Sequence, residues 1–441
     1  ILISIPCMKH IFKILYNCHK WFGIPLALMF IMWYCSGIVM MYHGFPRLSG
    51  QDRPVERVDR TELDSLWRMA PDSVGMSRLA FSGKRLQLMT GGETFGGYRP
   101  DCHALEEIAA SFNTVIQRVD TLDDIDKWTP FNHLVKHLPF YRIVGDDDSY
   151  IYVSSVTGEI VQHATLSARR WAWVGALPHY FYVTPIRRDS ALWRKVVIWM
   201  SGLSTLSVLF GMVIAVRFLL RRRKLRLFIK RSWQWHYSWG LFFGIFMFAF
   251  IFSGMMSLAD IPDWIMKSRR LEGRGATAVA KEDVDLTSLP ERFGQATLNV
   301  EPQLLWTVDT GGEKIVTGAE CGRAPDFTPS FMTGIIERQT GEKVTDVSRT
   351  DGDIYYNVDD VPGYKARTEH FTVYWNDRGY YRVLDAKGKA RNICYRFLHT
   401  MRIPGLVRVK WLHELYMWVI LLGGIVIVAT GTVLSVRSFK R

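Results

Sequence analysis

Four stretches of this chain run for about 20 residues without a single charge: Trp21–Met41, Val196–Val216, Ser238–Ala259 and Leu415–Val436. At 1.5 Å per residue, a helix of that length crosses the roughly 30 Å hydrocarbon core of a bilayer. Hydrocarbon offers the backbone no hydrogen-bonding partners, so such segments must close their hydrogen bonds internally as helices. The first run is too long for the apolar region of a secretory signal and lacks a small-x-small cleavage site, so it reads as an anchor. The expected architecture is an α-helical polytopic membrane protein with four transmembrane helices. Numbered with their flanks, the spans are 21–43, 193–220, 236–259 and 411–436.

The segments between and beyond these runs differ sharply in charge. Lys9, Lys13 and Lys20 precede the first. Arg217, Arg221, Arg222, Arg223, Lys224, Arg226, Lys230 and Arg231 lie between the second and third, and Arg437, Lys440 and Arg441 follow the fourth; no acid accompanies any of them. Clustered Lys and Arg in short loops mark the cytoplasmic side. The termini (1–20 and 437–441) and the loop 221–235 are therefore expected in the cytoplasm, and the long segments 44–192 and 260–410 on the other side. These three segments hold 14 of the 55 Lys and Arg, leaving 41 against 42 acids. The net charge of +13 is thus an orientation signal, and no nucleic-acid partner is expected. With no eukaryotic targeting cue, the architecture points to a bacterial inner membrane, with the long segments in the periplasm.

The chain also resembles itself. His19-Lys-Trp-Phe-Gly23 followed by Ser36-Gly37 matches His236-Tyr-Ser-Trp-Gly240 followed by Ser253-Gly254. The second and fourth spans end alike, in Gly211–Arg217 and Gly431–Arg437, and Leu177-Pro-His179 has its counterpart in Phe397-Leu-His399. A tandem duplication of one unit follows: span, soluble domain, His-bearing segment, span. Two copies of the same orientation imply a pseudo-two-fold axis along the membrane normal. The soluble segments read as two α+β domains. Leu105, Ile108, Ala109, Phe112, Val115 and Ile116 recur at helical spacing. Tyr150–Val153, a Thr157-Gly158 turn and Ile160-Val161 read as a hairpin, with Tyr380–Val383 and Lys387-Gly388-Lys389 expected in the matching place. Asp123–Asp126 and Arg349–Asp360 read as loops or edge strands.

Of the 12 histidines, His10, His103, His133, His137, His163 and His370 read as ordinary polar positions. A single His at a membrane boundary is explained by its ring reaching toward headgroups. Two pairs in equivalent places, His19 with His236 and His179 with His399, are not so easily explained. Residues related by a two-fold axis can approach one point from opposite sides, as two axial ligands of a haem iron must. The first pair would hold one b-type haem low in the bundle and the second pair another high in it. Gly23 and Gly240, one turn after their histidines, would leave room for a flat macrocycle; close helix packing explains them equally well. His43 and His413 have no partner in the other copy and rank as reserve ligands of the upper layer. Covalent haem attachment is not expected without CxxCH, and no HExxH, GxSxG, P-loop or dinucleotide motif is present. Cys102, Cys321 and Cys394 lie outside the cytoplasm, so at most one disulfide can form among them.

Taken together, these motifs resemble the PepSY-associated transmembrane (PepSY_TM) family. The resemblance rests on His19/Gly23/Ser36-Gly37, Thr157-Gly158-Glu159 and Pro178-His179, then His236/Gly240/Ser253-Gly254, Lys387-Gly388-Lys389 and Leu398-His399. It covers nearly the whole chain from about residue 9. Pro178 stands where Leu is usual, and Lys387 where Thr is usual. Within the family the chain is similar to inner-membrane siderophore reductases of the FoxB type. That resemblance implies PepSY-like periplasmic domains, two non-covalent haems, and one-electron reduction of a ferric siderophore held over the upper haem. Fe(II) would be released, with electrons from a cytoplasmic or quinol donor. A non-redox PepSY protein binding or inhibiting a periplasmic partner, and a permease for the intact chelate, are the alternatives; the scarcity of buried ions in the spans speaks against a proton-coupled carrier.

Overall fold

The computed structural model describes residues 5–269, 271, 278–358 and 361–439. Lys440, Arg441 and Asp360 lie outside the described residues, as does the side chain of Lys9. Four helices are long and apolar enough to cross a membrane: His10–Met40, Ser190–Arg222, Arg231–Leu258 and Lys410–Arg437. The chain is a multi-pass membrane protein. Each helix outruns its charge-free stretch, because Lys and Arg end the apolar run without ending the helix; their heads reach water while their stems stay on the helix. The first packs on the second, the second on the third, the third on the fourth and the fourth on the first, closing a four-helix bundle. Leu26, Phe30, Tyr34, Met247, Ile420 and Val428 fill its interior. Leu28, Trp199 and Phe242 stay exposed on the outside, where a bilayer would solvate them.

The chain leaves the bundle after Met40 and after Leu258 and returns at Ser190 and at Lys410, so both long segments project from one end. Each contains an α+β unit with a four-stranded antiparallel sheet in sequential order. The first sheet runs Ile116–Leu122, Phe140–Gly145, Tyr150–Ser154 and Ile160–Ala164; the second runs Asp346–Thr350, Gly363–Arg367, Thr372–Trp375 and Tyr381–Leu384. Helix Cys102–Ser111 lays Leu105, Ile108 and Ala109 on the first sheet, and helix Pro329–Thr340 lays Met332, Ile335 and Ile336 on the second.

Two local expectations are corrected. The helical spacing through Val115 and Ile116 does not continue: the helix ends at Ser111, Asn113 takes a positive φ of 57°, and Ile116 opens a strand. Asn tolerates that left-handed conformation better than most residues and so stops the helix. Lys387-Gly388-Lys389 is not the counterpart of the Thr157-Gly158 turn. It lies in helix Ala386–Asn392, where Asp385 accepts a hydrogen bond from the Gly388 amide at 2.7 Å as the N-cap. The matching turn is Asn376–Gly379, between strands Thr372–Trp375 and Tyr381–Leu384, with Gly379 at φ 75° against 70° for Gly158. Asn376 closes it by accepting from the amides of Arg378 and Tyr380.

The reading of two separate soluble domains also needs amendment. Ser77–Ser82, Arg85–Thr90 and Glu93–Phe95 from the first segment share one six-stranded sheet with Gln295–Asn299, Leu305–Asp309 and Lys314–Gly318 from the second. The joint is Ser77–Ala80 paired antiparallel with Gln295–Leu298. Beneath it lies a single core from both segments, including Trp67, Leu79, Leu88, Phe293, Leu298 and Trp306. Each fully buried aromatic or leucine there contributes about 1.5–3 kcal/mol of burial free energy, so the two segments are tied together apolarly as well as by hydrogen bonds.

Candidate functional site: two histidine pairs in the bundle

The lower pair comes from helices that face each other across the bundle. His19 lies on the first helix and His236 on the third, with ring centroids 6.1 Å apart and planes 33° from parallel. Their Nδ1 atoms are engaged by the two remaining helices. His19 Nδ1 donates to the Ser207 carbonyl at 2.8 Å. His236 Nδ1 donates to the Ile427 carbonyl at 3.1 Å, with Thr430 Oγ1 at 3.3 Å. A carbonyl only accepts, so Nδ1 carries the proton and Nε2 keeps its lone pair. Glycines on those same helices make room for the rings. A Cβ at Gly211 would stand 2.6 Å from His19 Cε1, and one at Gly431 would stand 3.1 Å from His236 Cε1.

The upper pair is delivered by the connectors that re-enter the bundle. Helix Ala176–His179 follows Gly175, whose carbonyl accepts from the His179 amide at 3.0 Å. Pro178 sits in the first turn of this helix, where a missing N–H costs nothing, so the departure at that position leaves His179 in place. His399 ends the helical turn Ile393–His399. Two residues beyond each histidine, Phe181 and Met401 take positive φ of 53° and 47°, turning the chain toward the next span at a strain cost of about 1–3 kcal/mol each. The two rings are 6.0 Å apart, centroid to centroid. His179 Nδ1 donates to Ser36 Oγ at 3.2 Å, and the Ser36 hydroxyl donates onward to the Trp33 carbonyl. His399 Nδ1 meets the Phe250 carbonyl at 3.0 Å and Ser253 Oγ at 3.2 Å. A Cβ at Gly37 or Gly254 would lie 3.8 Å or 3.4 Å from the Cε1 of His179 or His399.

All four predicted primary ligands therefore meet in the predicted pairs. Along the first helix, His19 lies 17 residues before Ser36, so the layers are about 26 Å apart. The lower pair opens onto a cavity of about 660 Å³, within the size range of cofactor pockets. Gly23 and Gly240 line it, and a Cβ at either would meet nothing within 4 Å. Phe30 and Met247 make part of its wall apolar, and Lys20, Lys230 and Arg437 add cations. The reserve residues are otherwise occupied. His43 stacks on Trp171 at 4.3 Å, and His413 Nε2 donates to the Thr400 carbonyl at 3.2 Å.

Haem fits this donor set. With metal–nitrogen bonds of about 2 Å, two imidazoles on opposite sides of one ion place their centroids about 6 Å apart. Each ring has its second nitrogen anchored, which fixes the tautomer that binds metal. Among the described residues no group of three or more His, Cys, Asp or Glu gathers as a metal site would require. Two imidazoles fill two of the six positions around an iron, and a porphyrin macrocycle would supply the other four. Neutral donors also suit a low-dielectric bundle better than carboxylates do.

Ser36-Gly37, Ser253-Gly254, Gly211 and Gly431 stood out in the sequence only as repeated letters. The structure gives each a task, as acceptor or as clearance for an imidazole. The histidines read as ordinary are so in most cases: His10 and His103 are exposed, and His370 Nδ1 pairs with Glu342 at 2.8 Å. His137 is the exception, buried 3.6 Å from Glu159.

A bundle of four spans with convergent histidine pairs, topped by paired α+β units, defines the class. Over residues 16–437 the chain matches the PepSY-associated TM region, and it belongs to that family. No curated protein and no solved structure matches it.

Proposed function

We propose that this protein is a di-haem b-type transmembrane reductase of the bacterial inner membrane, acting on a ferric siderophore in the periplasm. His19 and His236 would hold one haem, and His179 and His399 the other. When bound, the two haems supply one-electron redox centres near opposite faces of the bilayer. The observation that carries this reading is the repeated geometry of the pairs, with centroids 6.1 and 6.0 Å apart and every Nδ1 held by a hydrogen-bond partner.

The chain's own residues orient four imidazoles and keep their Nε2 lone pairs available. Matching sheet orders and matching histidine–serine contacts in the two halves support a tandem duplication about an axis along the membrane normal. The basic segments support cytoplasmic termini and, with them, a periplasmic setting for both α+β units. A cytoplasmic or quinol donor would provide one electron for each Fe(III) reduced to Fe(II). Hard-oxygen chelators hold Fe(II) far more weakly, so reduction frees the metal for uptake.

The optical spectrum of the purified protein tests the proposal. A Soret band that sharpens and shifts on dithionite is expected; a colourless, fully folded preparation would overturn it. His236→Ala and His399→Ala should each remove about half of the haem, and retention of both haems in either variant would refute the pairing.

A further inference from the structure

The two halves of the chain leave the bundle differently. After the first span the chain turns inward, and Phe45 is buried with its ring centroid 5.7 Å from that of Phe131 and 5.5 Å from that of Tyr182. After the third span it turns outward. Trp264 is 85% exposed and Ile265 beside it 58%. They stand at the tip of a tight turn in which the Ile265 and Met266 amides both donate to the Pro262 carbonyl. Two large apolar side chains next to each other in water are unfavourable. Trp in particular concentrates at the headgroup boundary of a bilayer, where its ring meets hydrocarbon and its N–H meets water.

Ion pairs hold this tip level with the end of the span. The spanning helix ends at Leu258, two residues before Asp260. The Lys387 ammonium lies 3.5 Å from the Asp260 carboxylate and 3.1 Å from that of Asp263. One cation shared by both carboxylates folds the chain back, so Trp264 follows directly on a residue anchored beside the helix end. Arg391 also pairs with Asp260, and the Arg269 amide donates to Asp385 at 2.9 Å. Residues 259–269 thus form a strap along helix Ala386–Asn392, which runs on into the turn Ile393–His399. Trp411, likewise exposed, lies in the first turn of the fourth span, which packs on the third. Exposed indoles therefore stand at this end of both neighbouring spans.

We propose that Trp264 and Ile265 form a lipid-docking surface: the tip inserts into the headgroup boundary beside the third span, on the side from which the α+β units project. The pairs from Lys387 and Arg391 carry that restraint to helix Ala386–Asn392 and brace against the bilayer the segment that delivers His399. The inference stands apart from what the histidine pairs bind.

The test uses the full-length protein, labelled with 5-fluorotryptophan, in nanodiscs of phosphatidylethanolamine and phosphatidylglycerol. Loss of one fluorine signal in Trp264→Phe assigns the Trp264 resonance. Phospholipid with a nitroxide close to its headgroup should broaden that resonance more than an aqueous gadolinium chelate does. Broadening by the chelate as large as that by the lipid, or none by the lipid, would overturn insertion. Hydrogen exchange reads the strap. Trp264→Ser combined with Ile265→Ser, both at exposed positions, should speed exchange of the amides in 386–399 by about threefold or more, while strand Ile160–Ala164 of the first half stays unchanged. Exchange at 386–399 that is no faster in this variant would overturn the bracing.

Discussion

At the scale of single residues, what sets the four paired bundle histidines apart from the others is the support around them. His19 and His236 sit beside helices whose glycines leave no Cβ in the way, and the two glycines are not equivalent. A methyl at Gly211 would press on His19 at 2.6 Å, a separation real Cβ atoms do not show, whereas one at Gly431 would meet His236 at 3.1 Å. Gly211→Ala should therefore destabilise the haem-free protein by about 1–3 kcal/mol through overpacking. Gly23→Ala meets only open cavity and should leave that stability unchanged or raise it by up to about 1 kcal/mol; chemical denaturation of the two variants checks both. The serines differ as well. Ser36 Oγ accepts from His179, while His399 has the Phe250 carbonyl in addition to Ser253. Ser36→Ala should weaken upper-site haem binding by about 10–100-fold, and Ser253→Ala by less, as read by haem titration. The sequence shows all four serine and glycine pairs as repeats, but it cannot show which imidazole each one meets.

At the scale of elements, the first four-stranded sheet and its surrounding loops carry three histidines, His133, His137 and His163, whose imidazoles burial pushes below their ordinary range. Unfolding releases them to titrate normally. The unfolded chain then binds more protons than the folded one below about pH 6.5, so stability falls with pH in that window. Asp120 is held low chiefly by its hydrogen bond from Arg142, and it adds a loss of the same sign as pH drops through the carboxylate range. The denaturation midpoint of the soluble region should thus fall from pH 7 to pH 5, and His137→Phe should flatten the dependence. The turn at Asn376–Gly379 shows how far such elements are legible. Its Gly takes positive φ, as Gly158 does, whereas Lys387-Gly388-Lys389 carries its Gly inside a helix. An Asp three residues before a backbone N–H can close a turn or cap a helix, and only the following residues' packing decides which.

At the scale of the whole molecule, the shared sheet makes the two halves obligate partners. Ser77–Ser82 is flanked on one side by Arg85–Thr90 and on the other by Gln295–Asn299. Without the second half, that strand would present an open row of donors and acceptors over an uncovered apolar core, an arrangement prone to aggregation. Residues 1–226 expressed alone should aggregate, as should 227–441. The two co-expressed should purify together, and independent folding of either half would contradict the shared core. In the bundle, antiparallel neighbours bring the first and third helices face to face, which is what lets copies of one histidine meet.

Read by itself, the sequence determined the four spans, their basic flanks and the periodic recurrence of His, Ser and Gly, because hydrocarbon thickness and charge act on contiguous stretches of chain. It also sufficed to single out His19 with His236 and His179 with His399, the pairs whose rings meet, since each pair recurs within a repeated sequence pattern. It could not join Ser77–Ala80 to Gln295–Leu298 or assign Gly211 to His19. Those relations link positions up to two hundred residues apart that share no local pattern. Only the packing of the helices and the pairing of the strands brings them within reach of one another.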